Sequence, residues 1–277
     1  MPAEMTPPPQ FESAFQTLLS GFGRLELLSG AIRSAAQREH EFLRKNEIGL
    51  REISREDRVL SAHSMSYRDI RTNAPIFYDY KERGVKELTE DLVSYRNKQY
   101  QWVLVEAFEF FEHFVKVCCL ECGRLNPGGE TANAKDGLAA RLNVLRAYLP
   151  SFCALEVRNA RQLNYRSAIA LIEMLRHVVV HNGGWIRDET KFFEKLGSLV
   201  QKNNGGKHDP DVENHAKFFL FKGRHGIEVY LLEEADMKRS PMYTDRLGTL
   251  LGWLLTYASS LNDHLVRAIK SSSPVTS

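Results

Sequence analysis

The chain has few cysteines and no long apolar segment, and both features exclude classes of protein. Only 4 of the 277 residues are cysteine, and residues 1–10 are rich in proline and polar rather than apolar. A disulfide-stabilised secreted domain is therefore not expected, and the sequence favours the reducing cytoplasm. No run approaches the roughly 18 consecutive apolar residues of a transmembrane helix, so we expect a protein without a membrane segment.

Net charge is also nearly absent, so the composition does not point to a nucleic-acid-binding protein. The 37 basic and 35 acidic residues leave a formal net charge of +2. Any RNA-binding surface would have to be a local basic patch. A candidate patch surrounds a predicted β-hairpin and comprises Lys202, Lys207, Lys217, Lys222, Arg224 and His225. An ordinary solvated hairpin explains the same residues equally well.

Hydrophobic periodicity predicts a mainly α protein, a helical bundle with N- and C-terminal helical elaborations and one small β-hairpin. Predicted helices cover residues 11–46, 85–122, 137–148, 155–181, 189–200 and 243–270, and residues 47–66 predict a further helix or a pair of turns. Residues 217–221 and 227–232 flank a glycine-containing loop and predict the hairpin. An exposed loop is predicted at residues 202–210, just before it.

The predicted organisation has four parts. These are a disordered arm at residues 1–10, a helical extension at 11–84, a helical core at 85–200, and a hairpin with a C-terminal helix packing on the core at 201–277. Within the core, the aromatic-rich run at residues 102–117 is apolar nearly all round, which predicts a central buried helix.

The most informative stretch ends the helix predicted at residues 155–181. Its last turns gather four polar side chains: Arg176, His177, His181 and Asn182. Gly183 and Gly184 follow and predict a helix stop, because glycine readily adopts the left-handed conformation of a C-cap. A histidine can take the proton of a ribose 2′-hydroxyl, and an arginine can stabilise the phosphorane. The arginine and histidine of the Arg-x4-His pattern are therefore chemically capable of cleaving RNA without a metal ion.

Spacing alone does not bring these two groups together. Five residues place Arg176 and His181 roughly 140° apart around an ideal helix. Either the last turn unwinds at the glycine stop, or a second copy of the chain completes the site across a dimer axis. The same spacing recurs at Arg58 and His63, in a charged stretch without a glycine stop. The non-catalytic interpretation is a capped helix end whose polar side chains bond free carbonyls.

A second polar set lies on the helix predicted at residues 85–122, and it comprises Glu106, Glu109, Glu112 and His113. A di-iron type of metal site would need Glu-x-x-His motifs on two helices. The facing helix offers only Glu173 and His177, so no metal is expected. The preferred interpretation is that an acid here orients the catalytic pair, and a solvated stripe is the alternative. Three cysteines near the end of this helix (Cys118, Cys119, Cys122) predict buried thiols, because the second pair of a zinc site is missing.

The stretch RHVVVHN at residues 176–182 resembles the Arg-polar-x3-His motif of the HEPN superfamily. In that family the motif lies near the end of a long helix in an all-helical bundle, and the helices predicted at residues 95–122, 137–148 and 155–181 resemble its core. The resemblance implies a metal-independent endoribonuclease that acts as a homodimer, with both motifs facing one cleft. The expected products carry 2′,3′-cyclic phosphate and 5′-hydroxyl ends.

On this resemblance, Arg176 binds phosphate and stabilises the transition state, and His181 acts as acid or base. The expected supporting residues are His177, Asn182, Glu109 and Glu173, with no metal or cofactor. RNA is the expected substrate, and an antitoxin or a defence-system protein is the expected partner of a toxin or antiviral effector. The alternative is a non-catalytic HEPN-like module that binds nucleotide, nucleic acid or a protein, and a third interpretation is a metalloenzyme centred on Glu109.

Overall fold

A computed structural model describes residues 10–50, 66–68, 71–77, 85–125, 137–223, 226–236 and 242–272. It confirms a mainly α fold with small antiparallel β elements. Its helices are α1 Gln10–Leu50, α2 Val85–Leu125, α3 Leu138–Tyr148, α4 Pro150–Leu155, α5 Tyr165–Asn182, α6 Glu189–Asn203, α7 Val212–Phe218 and α8 Arg246–Ser272. Its strands are β1 Ser66–Arg68, β2 Pro75–Phe77, β3 Trp185–Ile186, β4 Leu220–Gly223, β5 Gly226–Val229, β6 Glu234–Asp236 and β7 Met242–Thr244.

Several predictions fall outside these ranges. The arm at residues 1–10 lies outside them except for Gln10, which begins α1. The pair Arg58 and His63, and the hairpin residues Arg224 and His225, also lie outside the described residues. No helix in the described ranges is both long and apolar enough to cross a membrane.

The chain forms two compact units, Met1–Leu27 with Tyr100–Ser277, and Leu28–Gln99. In the first unit, the middle of α5 is apolar on all sides and is fully buried. The rings of Phe111 on α2 and Tyr257 on α8 meet edge to face at 5.7 Å between centroids. The prediction of a central buried helix at residues 102–117 is only partly right, because this part of α2 is buried on one side and exposed on another. Trp102 is 60% exposed, because it shares a helical stripe with the exposed Glu106 and Glu109.

The prediction of a single helix at residues 155–181 is wrong. The chain instead ends α4 at Leu155 and begins α5 at Tyr165. The Asn164 side chain caps α5 by accepting from the Arg166 and Ser167 backbone amides. The Asn159 side-chain amide donates to the Leu163 carbonyl at 2.7 Å. Both asparagines satisfy backbone groups locally, and this competes with helix formation.

The predicted hairpin is confirmed as β4 and β5, and β3 extends it to a sheet of order β3-β5-β4. Residues 217 and 218, predicted as strand, belong to α7 instead. The exposed loop predicted at residues 202–210 is also partly wrong, because Asn203, Asn204 and Asp209 are buried. The Asn204 side-chain amide donates to Ser167 Oγ at 3.2 Å, so this segment packs against the start of α5.

Candidate functional site

The glycine stop after α5 is confirmed. Gly183 adopts the left-handed conformation with φ 60°, and Gly184 follows with φ 85°. The backbone amide of Gly184 donates to the Val178 carbonyl at 3.1 Å. Because α5 stays helical through Asn182, the proposed unwinding of its last turn is wrong. His181 keeps the direction that a regular helix gives it.

Gly184 fixes the end of α5 to the sheet and to α2. A Cβ atom at this position would overlap the side-chain amide of Gln101 on α2. Gln101 Nε2 donates to the Val229 carbonyl at 2.6 Å, and the Val229 backbone amide donates to the Gly184 carbonyl at 2.9 Å. The position therefore needs glycine both for its positive φ and for this close approach. The chain that follows enters β3 directly.

Arg176 also faces α2, about two turns before the end of α5. Its Nη2 donates to the carboxylate of Glu109, and its guanidinium carbon lies 5.9 Å from the Phe108 ring centroid. The Arg176 side chain is 27% exposed, so it remains partly open to solvent. Its Nε atom is buried without a hydrogen-bond partner among the described residues. Glu109 on α2 is thus the acid that holds this guanidinium in place.

His177 and His181 come together on the open surface of α5. Their ring centroids are 4.4 Å apart, as expected for residues four positions apart on one helix. Burial lowers the pKa of His177, and the nearby His181, Lys195 and Arg176 lower it further. The lowered pKa favours the neutral imidazole of His177, which is the form that can accept a proton. The spacing Arg-x4-His predicts a pair of Arg176 and His181, whereas the structure pairs the two histidines. Their separation of four residues on one helix is the signal in the sequence for this pair.

A cleft of about 410 Å³ opens between α5, β3 and α6. Three of the predicted supporting residues line it (Glu173, His177 and Asn182), whereas Arg176 and His181 lie outside its lining. Three further cations at its wall were not singled out from the sequence: Arg187, Lys191 and Lys195. Lys191 Nζ pairs with the Asp188 carboxylate at 3.1 Å, and Asp188 also caps α6. The clearest sequence signal was the four-residue spacing of Lys191 and Lys195 on one helical face.

Glu173 is the acid at the buried side of the cleft. Burial raises its pKa, and the negative charge of Glu112 raises it further, although Lys202 and Arg176 oppose the shift. Its Oε2 atom is buried and has no hydrogen-bond partner among the described residues. Glu112 itself accepts a hydrogen bond from Arg141 at 3.0 Å. The protonated form of Glu173 is thus favoured relative to an exposed carboxyl.

The structure gives no support to a metal centre within the described ranges. There, no three His, Cys, Asp or Glu side chains lie close enough together to hold a metal ion. The predicted buried thiols are confirmed, because Cys118, Cys119 and Cys122 are all buried and free. Burial raises the pKa of Cys122 to about 12, which keeps this thiol protonated and unreactive.

A buried ionic cluster positions the start of α5, and the sequence analysis missed it. Glu156 is fully buried and accepts from Arg146 Nε at 2.9 Å through both oxygens. It also accepts from Arg166 Nε at 2.9 Å and from the Tyr257 hydroxyl at 2.6 Å. Burial raises the pKa of Tyr257, and the carboxylate of Glu156 raises it further. The cluster joins α3, α5 and α8 through one carboxylate.

Comparison with known proteins identifies no relative: no family model matches the chain, and no curated protein or solved structure matches it significantly.

Proposed function

We propose that the protein is a metal-independent endoribonuclease of HEPN type that acts as a homodimer. The proposal is supported mainly by the contact between the imidazoles of His177 and His181. Their ring centroids lie 4.4 Å apart at an exposed helix end. Two imidazoles side by side can act as a general base and a general acid in one reaction. The cations of the adjoining cleft add positive charge where an RNA phosphate would bind.

The proposed reaction is an internal transfer at one phosphodiester. His177, in its neutral form, takes the proton of the ribose 2′-hydroxyl. The 2′-oxygen then bonds to phosphorus as the bond from phosphorus to the 5′-oxygen breaks. His181 gives a proton to the departing 5′-oxygen, and the products are a 2′,3′-cyclic phosphate and a 5′-hydroxyl. Arginine stabilises the charge that develops on the phosphorane.

The homodimer supplies that arginine. Within one subunit, Arg176 contacts Glu109 on α2, whereas the histidine pair lies on another side of α5. A second copy placed against α2 would bring the Arg176 of one subunit toward the histidines of the other. The exposed stripe of α2 supports such a contact, because it carries Trp102 and Leu120, which are 60% and 51% exposed.

The experiment is cleavage of total RNA by purified protein with EDTA present. Arg176→Ala, His177→Ala and His181→Ala should each reduce the cleavage rate at least about 100-fold, the usual range for a lost acid, base or charge-stabilising group. The matched control is His208→Ala, because His208 is exposed and lies outside the cleft lining. The proposal fails if wild type does not cleave RNA in EDTA, or if all three variants cleave as fast as the control.

The second candidate function is a non-catalytic HEPN-like module that binds a nucleotide or nucleic acid. The observation in its favour is the ion pair with Glu109, which neutralises Arg176 and limits its access to a substrate. This candidate predicts that labelled nucleotide or RNA binds to the cleft without being cleaved. Glu109→Gln separates the two functions: freeing the guanidinium should change the cleavage rate of an enzyme, but only the affinity of a binding module.

A further inference from the structure

The outer face of the three-stranded sheet carries aromatic side chains. In the sheet register, Glu228 on β5 lies opposite Trp185 on β3 and opposite Phe221 on β4. Residues directly opposite in antiparallel strands share a face, so these three side chains lie on one side of the sheet. The Tyr230 ring joins them, with its centroid 5.1 Å from that of Phe221.

An arginine inserts between these rings and a further phenylalanine. The Arg246 guanidinium carbon lies 5.2 Å from the Tyr230 ring centroid and 5.1 Å from that of Phe218. Its Nε and Nη1 atoms donate to the carbonyls of Phe218 and Leu232, at 2.8 and 3.0 Å. Together, Phe218, Phe221, Tyr230 and Arg246 form a continuous stack, which we call the aromatic platform. Its two phenylalanines are 41% and 47% exposed.

Arg246 is the cation within the aromatic platform, and the charges around it are mixed. Lys222 follows Phe221 on β4, so its side chain points to the opposite side of the sheet. Lys217 is exposed, and its Nζ lies 5.6 Å from the Phe193 ring centroid and 3.9 Å from a carboxylate oxygen of Glu213. Glu228 places a carboxylate on the platform's own side of the sheet. The platform therefore attracts a ligand mainly through its aromatic rings.

The sheet that carries the platform follows the proposed cleavage site in the amino-acid sequence. Trp185 follows His181 by four residues, and β3 pairs directly with the central strand β5. The close packing at Gly184 fixes the intervening turn. The sheet that carries the platform therefore begins directly after the helix end that carries the histidine pair.

We propose that the aromatic platform binds single-stranded RNA by stacking bases on Phe218 and Phe221, and so holds the strand beside the histidine pair. The proposal rests on the proposed function for the identity of the ligand. Exposed rings interleaved with an arginine favour this ligand, because every unpaired base offers a flat face for stacking. Bases inside a duplex are already stacked on one another, so double-stranded RNA fits the platform poorly.

The test is fluorescence anisotropy with a labelled single-stranded oligonucleotide whose 2′-positions are O-methylated, so that it cannot be cleaved. Phe218→Ala and Phe221→Ala should each weaken binding roughly tenfold, and the double variant should weaken it further. The control is Phe42→Ala on α1, because Phe42 is a 57% exposed phenylalanine in the other unit. Circular dichroism melting checks that the variants fold.

The platform proposal is overturned if wild type does not bind the oligonucleotide, or if the folded phenylalanine variants bind it as well as Phe42→Ala does. Tight duplex binding that these variants leave unchanged would also contradict it. If the variants lose self-association in sedimentation but keep their RNA affinity, the surface is a protein interface and the proposal is wrong. If the platform binds RNA but no cleavage occurs in EDTA, the nuclease proposal fails while this one stands.

Discussion

Replacing Glu156 with glutamine should strongly destabilise the larger unit. The carboxylate is fully buried and compensates two arginines, Arg146 and Arg166, whose side chains are only 7% and 15% exposed. Glutamine keeps the size of the side chain and one acceptor oxygen but removes the negative charge. The variant therefore leaves two largely buried guanidinium groups without their counter-charge.

The expected loss in the free energy of unfolding follows from the burial of the Glu156 carboxylate. Removing one partner of a buried ion pair usually costs about 3–5 kcal/mol, because the remaining charge is left without compensation. At about 2 °C per kcal/mol for a chain of this size, the melting temperature should fall by roughly 6–10 °C. An exposed pair gives the comparison: Glu213→Gln breaks the contact with Lys217 and should cost no more than about 0.5 kcal/mol.

The assay is thermal and urea unfolding of both variants, followed by circular dichroism. We expect Glu156→Gln to lose several kcal/mol and Glu213→Gln to match wild type within error. A loss below about 1 kcal/mol for Glu156→Gln would refute the reasoning, because the cluster would then contribute no more than a surface pair.

Three further predictions concern the end of α5, its start and its histidines. Gly184→Ala should cost about 1–3 kcal/mol in urea unfolding, since a methyl group at positive φ would overlap Gln101; wild-type stability would contradict this. Asn164→Ala should cost about 1 kcal/mol in the same assay through the lost N-cap, and no loss would count against the cap. Because the pKa of His177 is lowered, the acid limb of the pH profile of kcat/KM should lie below pH 6.5. Lys195→Ala removes a nearby cation and should therefore move this limb to higher pH. An acid limb above pH 6.5 in wild type would contradict this prediction.

The sequence predicted those elements whose signal is local. The apolar periodicity of α1, α2 and α8 is strong, and Gly183 marks the end of α5 because a C-cap often requires a left-handed residue. The hairpin was visible from its alternating strands and glycine-containing loop. Each of these signals lies within a short segment and does not depend on distant residues.

The features that the sequence analysis missed depend on side chains far apart in the chain. Glu156 and Tyr257 are separated by 101 positions, and no periodicity indicates that a carboxylate after α4 will meet a tyrosine on α8. β3 has two residues and no strand pattern of its own, so its pairing with β5 was equally invisible. The break before α5 does have a local signal, because Asn164 is a strong N-cap residue inside an otherwise helical pattern.

The most direct test of the central claim is the cleavage of a defined single-stranded RNA in EDTA by wild type and by the double variant His177→Ala, His181→Ala, with the product ends mapped. We predict that wild type leaves 2′,3′-cyclic phosphate and 5′-hydroxyl ends, and that the folded double variant leaves the RNA intact. Cleavage by the double variant at the wild-type rate, or wild-type products with 5′-phosphate ends, would contradict catalysis by the histidine pair.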